Sequence, residues 1–143
     1  MYKRQGIPDA ILQKPGKLSA EEFEIMKTHT EIGGNILSNS KSSLVQMARE
    51  IALNHHEKWD GSGYPQGLKA EEIPVGARIA AIMDVFDALI HKRVYKKEMD
   101  IDDAIKIMSK GRGTHFDPDL FDLFIRLKQE VIEITRLNND SIC

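Results

Sequence analysis

Apolar residues recur along this chain at three- and four-residue intervals, and nowhere do they alternate with period two long enough to make a confident strand. The pattern predicts an all-α domain of helices over 19–38, 43–58, 74–92, 100–110 and 117–137. The first opens with a capping box, Ser19 facing Glu22, and repeats apolar residues at Phe23, Met26 and Ile32. The second places Leu44, Ala48, Ile51 and His55 on one face, so His55 is expected to point inward, with His56 on the shoulder behind Val45 and Ala52. The third starts near Pro74 and runs through Ile79, Met83, Phe86 and Leu89 or Ile90. Asp100 caps the fourth, which stops at Gly111, and Asp117 followed by Pro118 opens the last.

One connection breaks this periodicity. Residues 59–73 carry three glycines and Pro65, and they follow directly on the pair His55-His56. Loops of that length inside a small domain tend to be functional or mobile. The chain's 143 residues fit one domain, and its formal net charge of −2 argues against a large footprint for a nucleic-acid polymer or anionic lipid. The single cysteine, Cys143, excludes an intrachain disulfide. The longest apolar run is broken by Asp84 and Asp87, and the N-terminus lacks a signal-peptide stretch, so a cytoplasmic domain is expected.

The residues that can carry chemistry sit on three of the helices. Each taken alone has an ordinary explanation: His55 as a satisfied core histidine, His56 as an exposed one, His29 as structural, Asp84 as part of a solvated stripe with Asp87 and His91. Together, three imidazoles and a carboxylate make a good metal set, suited to iron, manganese or zinc more than to magnesium or calcium. Asp84, flanked by Ala80, Ala81 and Ala88, reads equally as a costly core-facing acid that needs a partner. Arg93, Lys96 and Lys97 follow that helix; they either relieve its dipole or clamp phosphate oxygens beside the metal. His115 reads as structural, because Asp117 and Pro118 beside it are helix-start residues. Trp59 and Tyr64 flank the glycine turn and can stack on a base, roof the core or serve a docking surface.

The stretch "NHHEKWDGSGYPQGLKAEEIP" strongly resembles the signature of the HD-GYP domains, with Gly63, Tyr64 and Pro65 as the GYP triplet. "GIPDAILQKPGKLSAEEFEIMKTHTEIG" before it, and "ARIAAIMDVFDAL" and "GTHFDP" after it, extend the likeness over about residues 6–125; 126–143 form a C-terminal helix extension and tail. The resemblance implies a helical bundle of the HD superfamily holding two or three divalent metals, iron or manganese in most members. The implied ligands are His29, His55, His56 and Asp84, with Asp87 as a supporting carboxylate and Arg93 and Lys96 as phosphate contacts. The implied activity is hydrolysis of cyclic di-GMP to pGpG or GMP by in-line attack on phosphorus, the ions neutralising charge as it develops. The loop of Gly61, Gly63, Tyr64 and Pro65 is implied as a docking element for GGDEF-type or response-regulator receiver domains.

The sequence departs from that pattern in two places. Where the family carries a His-Asp doublet and a lysine, in a stretch like "HDIGK", this chain reads "MYKRQ". A domain lacking its first helices and part of its metal site is therefore expected, inactive as it stands. The alternative is a non-catalytic module that binds a nucleotide or a partner domain through the GYP loop. Val94 also stands where a proline is common in the family's "RPYK" turn.

Overall fold

The computed structural model describes residues 6–90 and 99–139, with side chains described as far as residue 133. Among these residues the fold is helical, and the only β contact is an isolated bridge between Arg112 and Phe116. A short helix that the sequence pattern missed, α1 (Asp9–Leu12), precedes α2 (Ala20–Lys27). The capping box forms as expected. Ser19 Oγ accepts the Glu22 N–H at 3.2 Å, and Glu22 Oε2 accepts the Ser19 N–H at 2.7 Å. The expected continuous helix over 19–38 is instead two, because α2 stops at Thr28 and α3 (His29–Ile36) begins beyond it. The Thr28 hydroxyl donates to the Ile25 carbonyl at 2.7 Å, a back-bond that competes with the helical ladder.

Helix α4 (Ser43–Asn54) returns alongside α3. The two approach closely because Gly34 has no side chain: a Cβ there would lie 2.5 Å from Leu53 Cδ2. Arg49 Nε donates to the Gly34 carbonyl at 3.2 Å and ties the pair. This hairpin brings the start of α3, with His29, beside the end of α4. The face of α4 assigned inward by periodicity is open, however. Leu44 is 72% exposed and Ala48 is exposed, because no described element packs over them.

The core forms around α5 (Val75–Ile90), which packs against α6 (Ile101–Ser109) and α7 (Pro118–Arg126); α8 (Lys128–Asn139) follows. Its buried face is Ala77, Ala81, Ile82 and Phe86 rather than the expected stripe through Ile79 and Met83. Ile82 and Phe86 pack with Met108, Phe116, Phe121 and Phe124. Ile79 and Met83 instead line an open apolar groove of about 260 Å³ against α7 and α8. The last predicted helix is likewise divided, α7 being capped at Leu127. No helix among the described residues is long and apolar enough to cross a membrane.

Asp117 joins several of these elements. Oδ1 caps α7 by accepting the N–H groups of Asp119 and Leu120, and Oδ2 accepts from Arg78 Nη1 of α5 at 2.6 Å. The Arg78 guanidinium also lies over the Trp59 ring, 5.8 Å from its centroid, which brings the long loop to the base of α5.

That loop is folded tightly onto the end of α4. Glu57, 2% exposed, accepts the Gln66 N–H on Oε1 at 2.7 Å and the Leu68 N–H on Oε2 at 3.1 Å. Buried Asn54 receives Gln66 Nε2 on its side-chain oxygen at 3.2 Å while donating to the Glu50 carbonyl. Residues 59 and 60 donate to the carbonyls of His115 and Thr114, clasping the loop to the turn before α7. The Tyr64–Pro65 peptide is cis. Gly63 sits hard against the backbone, where a Cβ would come within 2.3 Å of the Lys58 nitrogen and 2.5 Å of Glu57 Cα.

Asp117→Ala removes a helix cap and leaves Arg78 without its carboxylate; it should cost about 3 kcal/mol in chemical denaturation. Gly63→Ala has no space to occupy, so it should cost about 1–3 kcal/mol and open residues 59–68 to limited proteolysis.

Candidate metal centre

Three imidazoles meet where α3 begins and α4 ends. His29 is the first residue of α3, His55 is the C-cap of α4, and His56 follows in the turn that starts the loop. The helix therefore ends one residue before the histidine pair, and the two rings are set by a cap and a turn rather than by continuing helical azimuth. One donor nitrogen from each of the three lies within 4.8 Å of the others. Ring centroids are 4.1 Å apart for His55 and His56, 4.9 Å for His29 and His56, and 5.3 Å for His29 and His55.

The local hydrogen bonds fix which nitrogens are free. His29 Nδ1 lies 2.6 Å from the Met26 carbonyl, and His55 Nδ1 lies 3.1 and 3.0 Å from the carbonyls of Ile51 and Ala52. A carbonyl only accepts, so both Nδ1 atoms carry the proton and donate it. Both Nε2 atoms are then left with lone pairs, and they face each other across 3.3 Å. Two lone pairs at that distance repel unless a proton or a cation sits between them. Two nitrogens bound to one ion at about 2.1 Å stand about 3.0–3.4 Å apart for angles between octahedral and tetrahedral, which matches the observed gap. The donor set thus fits a metal ion, with Nδ1 oriented by backbone carbonyls as ligating histidines commonly are.

His56 is suited to the same role. Burial, with the neighbouring charges of His55 and His29 adding to it, pushes its pKa down to about 4. It is neutral at pH 7, with no proton to shed before ligation. Tyr64 covers it, ring centroids 4.8 Å apart. Burial and the charge of Asp84 push the Tyr64 phenol up to about 12, so it remains a neutral hydroxyl.

The other sequence candidates fall less close. Asp84 is exposed rather than core-facing, and it stands outside the group of three histidines. It does share a shallow depression of about 420 Å³ with His55, Ile51 and Ala80, and its charge acts on both His56 and Tyr64. Asp87 is also exposed. Arg93 and Lys96 lie outside the described residues, as do His91, Val94 and Lys97. Gly61, with φ 84°, and Gly63 shape the loop, while Tyr64 and Pro65 place a ring and a turn beside the histidines.

Two contributors were not singled out from sequence. Glu57 and Asn54 bracket the histidine pair and hold the loop that roofs it. The available signal was a carboxylate beginning a long aperiodic loop, whose backbone N–H groups need acceptors if it is to lie against the protein. Lys58 was also passed over; it borders a second cavity beside His56.

Comparison with known proteins places the chain in a family. The family model described as "HD domain" matches residues 2–120. A cyclic di-GMP phosphodiesterase of Thermotoga maritima is 47% identical over 135 residues, covering 94% of this chain and 37% of that protein. The 3'3'-cGAMP-specific phosphodiesterase 2 of Vibrio cholerae is 50% identical over 128 residues, covering 90% of this chain and 24% of the relative. The chain spans well under half the length of these curated relatives. A crystal structure of a cyclic GMP-AMP-specific phosphodiesterase from V. cholerae superposes with a TM-score of 0.58 at 24% identity, over 84% of this chain and 31% of that one, which speaks to the fold alone. On the family match and the sequence relatives together, the chain belongs to the HD domain family, in its HD-GYP branch.

Proposed function

We propose that this chain is the metal-bearing part of a cytoplasmic cyclic-dinucleotide phosphodiesterase, with cyclic di-GMP as substrate and pGpG or GMP as product. The observation that carries this reading is the facing pair of unprotonated Nε2 atoms on His29 and His55, 3.3 Å apart, with neutral His56 beside them. The relatives' names support the substrate class, and they divide between cyclic di-GMP and 3'3'-cGAMP. His29, His55 and His56 would hold divalent metal, iron or manganese by donor type, and Asp84 would complete the set from the facing helix. Bound there, such ions polarise phosphoryl oxygens and neutralise charge that develops in an in-line displacement. The chain's own groups prepare the site. Carbonyls of Met26, Ile51 and Ala52 hold two imidazoles in one tautomer, Tyr64 shields His56 from water, and Asp87 supports the Asp84 side. Arg93 and Lys96 would contact substrate phosphate.

A second role, docking of GGDEF-type or receiver domains, is favoured by the exposure of Ser62, Gln66 and Gly67 at the loop's outer edge. It is compatible with the first.

The protein at its full natural length, loaded anaerobically with ferrous iron or manganese, should hydrolyse cyclic di-GMP, followed by chromatography of the products, while residues 1–143 alone, without the His-Asp doublet, are expected to be inactive. His55→Ala should lower bound metal in elemental analysis and reduce turnover at least about a hundredfold. Metal-loaded protein at its full natural length that leaves cyclic di-GMP and 3'3'-cGAMP both intact would refute the reading. The metal-free protein should also lose stability as pH falls from 6.5 toward about 4, because the unfolded chain takes up a proton that folded His56 refuses. His56→Ala should flatten that part of the stability–pH curve.

A further inference from the structure

His56 borders a second cavity, of about 340 Å³, whose chemistry differs from that of the histidine cluster. Lys58, Lys27, His115 and Ser62 line it with cationic or hydrogen-bonding groups, and the rings of Phe23 and Tyr64 wall it. Among the described residues, no carboxylate lines it. Of the acids around it, exposed Glu24 pairs with Lys27 at 2.6 Å and exposed Asp60 accepts the Ser62 N–H at 2.8 Å, while the charge of Asp60 also acts on His115 and that of Asp84 on His56 and Tyr64. Lys58 is half-buried and, among the described residues, has no carboxylate within ion-pair distance. A lysine held in that state presents a charge that an anion can complete.

The geometry around it is built rather than incidental. Lys58 lies between Glu57, whose carboxylate is committed to the loop backbone, and Gly63, packed against the Lys58 nitrogen. Its carbonyl accepts the Gly61 N–H at 2.8 Å, fixing the main chain. His115 is stacked flat on Phe116, 4.4 Å between centroids and 6° between planes, and is clasped to the loop by the Trp59 N–H. Lys27 stands 5.2 Å from the Phe23 centroid and 5.6 Å from that of Tyr64, so its charge is held at the rim over the two rings. A compact ammonium, a hydroxyl and an imidazole beside π-faces suit a phosphate attached to a base-bearing group. The volume falls at the small end of ligand pockets, enough for one nucleotide unit and not for a whole dinucleotide.

We propose that this cavity is a binding subsite for the terminal phosphate of a nucleotide, a phosphomonoester, separate from the metal cluster and sharing only the His56 wall with it. The choice of a nucleotide rests on the cyclic-dinucleotide reading above; the preference for a phosphomonoester rests on the cavity alone. In that setting the site would receive the end group that appears when a cyclic phosphodiester is opened.

The test is a calorimetric titration of the full 143-residue chain with a chelator present, so that no phosphate is drawn to metal. The ligands are GMP, guanosine and inorganic phosphate. GMP should bind at least about tenfold more tightly than guanosine, inorganic phosphate should displace it, and Lys58→Met should weaken GMP about tenfold or more. Lys58→Arg, which keeps the charge, should retain binding, and circular dichroism identifies any variant that fails to fold. Equal affinity for GMP and guanosine, or undiminished GMP binding by folded Lys58→Met, overturns the proposal. Because metal is excluded, these outcomes are independent of whether the loaded protein hydrolyses cyclic dinucleotides.

Discussion

The carboxylate of Glu57 organises the functional end of this molecule. Buried and ionisable, it is tolerable only because both oxygens are satisfied, one by the Gln66 N–H and one by the Leu68 N–H. In meeting that demand it closes a loop that periodicity alone would leave free. Closure seats Tyr64 over His56, presses Gly63 onto the Lys58 backbone and brings the Trp59 segment to the turn at His115. The histidine cluster and the basic cavity are two sides of that single closure. Without it, His56 would be a solvated residue one step past a helix end.

The histidine cluster is arranged by a different economy. A carbonyl oxygen has two lone pairs, and at these helix ends carbonyls hold imidazoles, Ile51 doing so while also accepting the His55 N–H at 3.0 Å. Met26 lies at the end of α2, and Ile51 and Ala52 in the last turn of α4. Each accepts an Nδ1 proton and turns an Nε2 lone pair toward the same point. The breaks at Thr28 and Asn54, which shorten the helices relative to their hydrophobic pattern, set the histidines at helix ends beside these carbonyls. Close approach at Gly34 then brings the two ends together.

Helix existence and the caps at Ser19, Asp100 and Asp117 were legible from residue type and spacing, whereas the grouping of His29 with His55 and His56 was implied by the family resemblance. Caps read well because they are local, one side chain answering one or two N–H groups. Burial read less well. Leu44 and Ala48 sit at core spacing yet face outward, and Ile79 and Met83 line a groove while Ala77 and Ala81 go inside, because a stripe says only that a face is apolar. Asp84, which the pattern left equally core-facing or part of a solvated stripe, is exposed. The Glu57 and Asn54 contacts were hidden because they join residues nine to twelve apart through a loop with no period to read.

The chain's one tryptophan has a consequence of its own. Trp59 lies where the closed loop meets both the Arg78 guanidinium and the His115 turn. Its indole is therefore surrounded by one charged plane and one main-chain clasp, both of which exist only while the loop is seated. Emission from this single indole, excited at wavelengths the three tyrosines do not absorb, consequently carries a label-free optical signature of loop seating.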